Sequence, residues 1–308
     1  KTLAAHKKEE IYYRTDSHWT TLGAYYASQQ LVESMQLDEA KTPKWEKYVV
    51  TNIFTGDLSA ELVFSPEAEG SGVFLSKDDG VICGVDIILT TYEAFGDFVE
   101  VNLLKKDGEP IKKGENIAEV KGKIRTLLSC ERVILNLLQR MSGIATVTKT
   151  AVELLNDKTI RICDTRKTTP GLRMFEKYAV RLGGGFNHRM GLYDGVMLKD
   201  NHIAFSGGIS EAVKLVKSQT GQMVKAEVEA ETKEQVLEAV KAGADVIMFD
   251  NRTPDEIREL SKLVPKNIIT EASGGISIHN IADFKGCGVD YISMGSLTHS
   301  VKPLDISF

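Results

Sequence analysis

From about residue 160 onward the chain repeats one rhythm that few architectures accommodate. Short β-branched or apolar runs lie at 160–163, 195–198, 224–228, 246–249, 268–271 and 291–294. Amphipathic stretches separate several of them, at 210–219, 233–242 and 254–263. Neighbouring parallel strands need a crossover of a dozen or more residues, so strands alternating with helices predict a parallel sheet. Gly243, directly after the stretch ending at Ala242, is a helix stop signal. This many βα units in a row favours a closed barrel over an open sheet.

Residues 54–132 read differently, as a smaller α+β unit of short strands and glycine turns such as 72–75, 80–83 and Gly108-Glu109. The run from Gly108 to Val120 has the pattern of a hairpin similar to those of lipoyl carriers. It lacks the modified-lysine context, so a plain hairpin is expected. From 131 to 155 the pattern turns helical, with Val133, Leu137, Leu138 and Met141 on one face. Arg132 and Arg140 on this helix need solvent, a partner or an anion.

The 308 residues suit one large domain and a smaller one, and 42% hydrophobic residues allow a sizeable core. The net charge of −5 supplies no global field for nucleic acid. Cys83, Cys130, Cys163 and Cys287 are widely spaced, which argues against zinc or a disulfide framework and for reduced, buried thiols. No apolar run reaches membrane-spanning length, and the polar opening at Lys1 shows no signal-peptide pattern, so a cytoplasmic protein is expected.

Positive charge is instead local. Between 161 and 202, eight Lys and Arg residues face only four acids. A solvated face is the ordinary explanation of such a run, but three details argue for a site. Asp164-Thr-Arg166-Lys167-Thr-Thr-Pro170-Gly171 directly follows a candidate strand, and barrel sites are built from loops at the carboxyl ends of strands. There Arg can grip a carboxylate bidentately and Lys adds a point charge. Gly183-Gly-Gly-Phe-Asn-His188-Arg189 brings two polar groups after three glycines, which let backbone approach a ligand. Met197-Leu-Lys199-Asp-Asn-His202 ends another strand, with a structural role expected for His202.

Other strands end in acids and glycines. Alternation puts Glu227 and Glu229 on one side of their strand, and Asp250 ends the next. Carboxylates among so many cations suit Mg2+ or ribose hydroxyls better than acid–base work, or else they order the cations as ion-pair partners. Ala272-Ser273-Gly274-Gly275 and Met294-Gly295-Ser296 follow the last two strands, where barrels often bind phosphate. The sum is a pocket for a ligand carrying several carboxylates and phosphates.

These residues resemble the quinolinate phosphoribosyltransferases. The resemblance runs from about 53 to 303 and rests on Glu131-Arg-Val-Ile-Leu-Asn, Ser142-Gly-Ile-Ala-Thr, 164–173, 184–194, 199–202, 227–229 and 271–276 together. It implies an α/β protein: an α/β sandwich over 46–136, joined by 299–308, and an open parallel α/β barrel over 137–298 with fewer than eight strands. It implies transfer of phosphoribose from phosphoribosyl pyrophosphate to quinolinate with decarboxylation, assisted by Mg2+. By motif match, Arg166, Lys167, His188 and Arg189 would hold the quinolinate carboxylates, with Lys199 between substrate and donor. Glu229 and Asp250 would bind ribose hydroxyls or Mg2+, and Ser273, Gly274, Gly275 and Gly295 would cradle the 5′-phosphate. Arg132 would reach into a neighbouring subunit's site, implying a homodimer or a multiple of dimers.

The first 45 residues depart from that pattern. Thr15-Asp16-Ser-His18-Trp19 is similar to a motif of SGNH-like acyltransferases and esterases, in which Asp and His belong to a triad. No matching nucleophilic Ser block follows, so a surface helix over 19–35 is expected and residues 1–45 stand as an orphan segment. Two other readings use the same scaffold: a related phosphoribosyltransferase of the molybdenum-operon type, and a non-catalytic sensor of phosphate ligands that releases no CO2.

Overall fold

A computed structural model describes residues 57–308. The expectations for Asp16, His18 and the 19–35 helix lie outside the described residues.

The chain enters through α1 (Leu58–Val63), capped by the Asp57 carboxylate on the Ser59 N–H. A four-stranded antiparallel sheet follows, in the order β12-β1-β5-β3, from β1 (Glu69–Ser76), β3 (Glu100–Leu103), β5 (Asn116–Lys123) and the C-terminal β12 (Ile306–Ser307). Phe74, Ile117 and Val120 of this sheet pack with Ile88 and Tyr92 of α2 (Asp86–Phe95) and with Ile134 and Leu138 of α3 (Ile124–Leu155).

Two local expectations change here. The 108–120 run is not a hairpin. Its first strand, β4 (Pro110–Ile111), pairs with β2 (Gly80–Val81) in a separate ribbon, while β5 joins the four-stranded sheet. Asp79 ties down the Lys112–Lys113 segment, and Gly114, at φ 88°, swivels the chain between the two sheets. The long helix begins at Ile124, seven residues before the periodicity at 131 becomes clear. β5 runs straight into it, with no turn residue and no side-chain cap at Lys123 to mark the start.

α3 serves two cores. Its first half, to Leu138, packs on the antiparallel sheet, and from Met141 onward it packs on the second domain. The C-terminal segment crosses it at Gly143, where a Cβ would lie 2.4 Å from the Lys302 carbonyl oxygen.

The second domain is a six-stranded, all-parallel sheet in the order β6-β11-β10-β9-β8-β7. Its strands are β6 (Arg161–Cys163), β7 (Val196–Leu198), β8 (Ala226–Ala230), β9 (Val246–Asp250), β10 (Ile269–Ser273) and β11 (Tyr291–Ser293). The helices after β6 to β9 include α4 (Arg173–Leu182), α5 (Asp200–Ser206), α6 (Ile209–Gln219), α7 (Lys233–Ala242) and α8 (Pro254–Ser261). Beyond β10 comes a short 3-10 turn, Ile281–Phe284, and beyond β11 one turn of helix, α9 (Ser296–His299).

β6 and β7 are the two edges, so the barrel is open there, not closed as the rhythm of strands alone favoured. Phe186 extends the β6 edge through an isolated parallel bridge to Cys163. Its N–H donates to Ile162 O at 2.7 Å and its carbonyl accepts from Asp164 N at 3.1 Å. β8 also starts two residues later than the apolar run suggested, because Val224 closes a turn onto Gly221. α7 and α8 begin where their capping boxes stand, Thr232 with Gln235 and Thr253 with Glu256.

Alternation along these strands sorts the residues by face. Ile162, Val228, Ile247, Phe249, Ala272 and Ile292 belong to the apolar cluster that also holds Val213, Val236 and Ile257 of the helices. Glu227, Glu229, Asp250, Glu271, Ser273 and Ser293 occupy the other alternation. The barrel is therefore apolar towards its helices and polar within.

Candidate active site at the carboxyl ends of the barrel strands

Asp164, the first residue after β6, is fully buried and collects three donors: Lys177 Nζ at 2.5 Å, Asn187 Nδ2 at 2.6 Å and the His188 N–H at 2.9 Å. Burial works against both charges, pushing the Asp164 carboxyl up and the Lys177 ammonium down, while their mutual attraction opposes it. Nearby, Arg140 of α3 donates to Glu176, Thr169 Oγ1 and the Thr298 carbonyl. It braces the start of α4 and carries no free charge into the pocket.

Three guanidiniums converge on the loop from 164 to 173. Burial lowers the pKa of Arg166, and the positive charges of Arg189 and Arg173 lower it further, with Asp194 partly compensating. Arg173 is fixed by Thr168 Oγ1 at 3.0 Å and the Met190 carbonyl at 3.0 Å, and Arg189 by the Gly195 carbonyl at 2.9 Å. Lys167 lies beside Gly295, where a Cβ would stand 3.0 Å from Lys167 Cδ. Its own carbonyl accepts from Thr298 Oγ1 at 2.8 Å. Mutually repelling cations held by neutral carbonyls and hydroxyls form a receptor for an anion.

Opposite charge stands on the neighbouring strands. Lys199, after β7, donates to Glu229 Oε1 at 2.5 Å. Asp250, at the end of β9, accepts from Asn251 Nδ2 at 2.7 Å. Ser273, Gly274 and Gly275 end β10; Gly274, at φ 88°, lies so close to Asn251 that a Cβ would be 2.2 Å from Asn251 Oδ1. Gly275 has open space where a Cβ would be, which leaves its backbone accessible. Gly295 opens α9 at the end of β11.

The sequence-expected residues of β6 to β11 thus share one end of the barrel. Arg132 is the exception. It lies on α3, 71% exposed, with Glu131 beside it at 3.7 Å.

Both ring nitrogens of His188 have partners inside the protein. Nδ1 accepts the Arg189 N–H at 2.7 Å, and Nε2 faces Glu227 at 3.2 Å and Glu271 at 3.6 Å. The three side chains offer ligand atoms within 4.8 Å of one another, a spacing suited to a metal ion. The tautomer opposes that use. With Nδ1 filled by an N–H, Nε2 carries the ring proton and donates it, so it has no lone pair for a metal. Burial disfavours a charged ring, but the Glu227 hydrogen bond and the Glu271 and Glu227 charges outweigh it, so the pKa of His188 is raised. A second proton would nonetheless displace the Arg189 N–H. Glu271 is the better proton holder, its pKa pushed up to about 7 by burial and by the Glu227 charge. One oxygen each of Glu227 and Glu271 is buried without a hydrogen-bond partner.

Glu271, Asp164, Lys177 and Arg173 are residues at this end of the barrel to which the sequence reading assigned no role in the site. For Glu271 a signal existed, since the alternation that pairs Glu227 with Glu229 also pairs Glu271 with Ser273.

Comparison with known proteins covers both domains. Residues 57–142 match the family described as quinolinate phosphoribosyl transferase, N-terminal domain, and residues 144–308 match its C-terminal domain. Residues 1–72 match an SGNH hydrolase-like domain described as acetyltransferase AlgX. A probable nicotinate-nucleotide pyrophosphorylase [carboxylating] of Bacillus subtilis (strain 168) is 56% identical over 260 residues, covering 84% of this chain and 90% of that protein. The chloroplastic nicotinate-nucleotide pyrophosphorylase [carboxylating] of Arabidopsis thaliana is 40% identical over 273 residues, covering 82% and 77%. Among solved structures, NadC from Streptococcus pyogenes superposes with a TM-score of 0.81 at 40% identity, covering 85% of this chain and 93% of that one.

Proposed function

The chain belongs to the quinolinate phosphoribosyltransferase family, and from that premise we propose how its barrel mouth divides the work of the reaction. The activity is transfer of phosphoribose from phosphoribosyl pyrophosphate to quinolinate, giving nicotinate mononucleotide, pyrophosphate and CO2. The observation that carries the assignment of residues is the convergence of Arg166, Arg173 and Arg189 beside Lys167, facing Glu229 and Asp250 across the mouth.

Quinolinate brings two carboxylates on adjacent ring carbons. Arg166, Lys167 and Arg189 bind them, relieving the repulsion among the guanidiniums. His188 lines the base of that pocket, with its Nε2–H directed at the Glu227–Glu271 pair. The ring nitrogen then attacks the anomeric carbon as pyrophosphate leaves through a cation-like ribose. Glu229 and Asp250 supply negative charge for that ribose and acceptors for its hydroxyls, and the Ser273–Gly275 and Gly295 backbone receives the 5′-phosphate. Lys199, already paired with Glu229, offers its ammonium to the pyrophosphate. No activated nucleophile is needed; orientation and preorganised charge supply the rate. The quaternised ring nitrogen accepts the electrons released when the adjacent carboxylate leaves as CO2, and a proton takes that carboxylate's place on carbon.

Glu229 and Asp250 form an oxygen-only donor pair on adjacent strands, which fits Mg2+ held by one or two carboxylates together with substrate phosphates. Bound there, Mg2+ would neutralise charge on the departing pyrophosphate. Arg132 belongs to the site of a second copy, which accounts for a guanidinium exposed on α3 away from its own barrel mouth. Among the described residues no helix is long and apolar enough to cross a membrane.

The test is to incubate the protein with carboxyl-labelled quinolinate, phosphoribosyl pyrophosphate and Mg2+. Nicotinate mononucleotide and labelled CO2 are expected in equal amounts. Binding without CO2 release would favour the sensor reading. Lys167→Ala is expected to raise the quinolinate KM by roughly tenfold to a hundredfold, the loss of a charge-assisted contact. An unchanged KM would remove Lys167 from the pocket.

A further inference from the structure

The ion pair between Asp164 and Lys177 is among the least accessible features of the molecule, with side chains 0% and 1% exposed. Such a pair is a poor device for stability. The cost of desolvating two charges offsets their attraction, and apolar replacement is often neutral or better. Its hydrogen bonds show what else it does. Asp164 Oδ1 accepts the His188 N–H at 2.9 Å, and Lys177 Nζ donates to the His188 carbonyl at 2.9 Å. Both backbone groups of His188 are therefore tied to one buried pair. Asn187 closes the arrangement, donating to Asp164 Oδ2 at 2.6 Å and to the Lys177 carbonyl at 2.9 Å.

Asp164 is also covalently joined to the Arg166–Lys167 segment, two residues further along the chain. The loop it grips by hydrogen bonds carries Arg189. One carboxylate thus anchors both cation-bearing segments. The preceding glycines are tied back to α4 through the Ala179, Arg181 and Val180 carbonyls, and Gly184 turns the chain at φ 89°.

We propose that Asp164 and Lys177 are positioning residues that fix the separation between the Arg166–Lys167 and His188–Arg189 segments, and so select a ligand with two adjacent carboxylates over one with a single carboxylate. This rests on the reading that quinolinate lies between those segments.

The test is the double variant Asp164→Asn/Lys177→Met, which removes both charges while keeping side-chain size, so that no lone charge is left buried. Affinities for quinolinate and for nicotinate, its single-carboxylate relative, are measured by calorimetry, with the KM for phosphoribosyl pyrophosphate alongside. Quinolinate affinity is expected to fall by on the order of tenfold to a hundredfold, as for a misplaced binding group. Nicotinate affinity and the phosphoribosyl pyrophosphate KM are expected to stay within about threefold of the starting protein. A merely structural role would move all three together, and that result overturns the proposal, as does a folded double variant with unchanged quinolinate affinity. If the double variant fails to fold, Asn187→Ala decides, because Asn187 is itself exposed. About a threefold to tenfold loss confined to quinolinate supports the proposal, and unchanged affinity overturns it. Failure of the unsubstituted protein to bind quinolinate would instead remove the reading on which the proposal rests.

Discussion

Glu227 and Glu271 meet inside the barrel, and the physics of two carboxylates in low dielectric decides their state. Only one can be ionised cheaply, and burial with the Glu227 charge raises the Glu271 pKa from 4.5 to about 7. A carboxyl whose pKa is raised in the fold contributes stability when protonated. That contribution is complete below about pH 4.5 and is lost as pH climbs through about 7. Glu271→Gln keeps the neutral shape at every pH. The melting-temperature difference between the variant and the starting protein is therefore expected to be small near pH 5. It should favour the variant by several degrees near pH 8, at roughly 2–4 °C per kcal/mol. A difference that stays the same from pH 5 to pH 8 would show that Glu271 is ionised throughout. Glu271 was within reach of the sequence through alternation, whereas the placement of His188 was not. A histidine beside an arginine after three glycines reads as a ligand grip, and only the fold shows its ring turned towards two acids.

The helix α3 ties the two domains together, and its fit depends on close approach at one point. An alanine at Gly143 would gain roughly 1 kcal/mol of helix propensity. Its Cβ would also sit 2.4 Å from the Lys302 carbonyl oxygen and 3.0 Å from Pro303 Cα, backbone atoms that cannot rotate away. Overpacking of this kind typically costs ~1–3 kcal/mol, so the clash outweighs the propensity gain. Gly143→Ala is expected to lower the denaturant midpoint, and a rise would show that the C-terminal segment yields freely. α7 and α8 were legible from sequence because caps and stop signals are local chemistry. α4 was not, because its inward face carries Glu176 and Lys177 beside Ala179 and Val180. A charged pair satisfied from other elements erases the apolar stripe by which a helix is recognised.

The proposed assembly rests on Arg132. If its guanidinium completes a neighbour's site, two variants impaired for different reasons can rescue each other. Assayed at quinolinate well below the raised KM, where each is nearly inactive alone, Arg132→Ala and Lys167→Ala are expected to recover activity when unfolded and refolded together. In a mixed dimer one site receives Lys167 from its own chain and Arg132 from the other, so an equal mixture should reach about a quarter of full activity. No recovery would place Arg132 outside any shared site.

The residues themselves specified a good deal: the βα rhythm, the local excess of positive charge and the strand-end position of its ligands. All three are written in neighbouring residues, through hydrophobic period, side-chain charge and turn chemistry. The closure of the barrel, the partners of His188 and the Asp164–Lys177 clamp depend on which distant segments meet. Sheet order left β6 and β7 as open edges, with Phe186 bridged to β6. The same folding brought Glu271 to within 3.6 Å of a histidine 83 positions away in the chain. Such pairings are set by the packing of whole elements against one another, because the energy that fixes them comes from burial shared across the fold, and no local pattern records it.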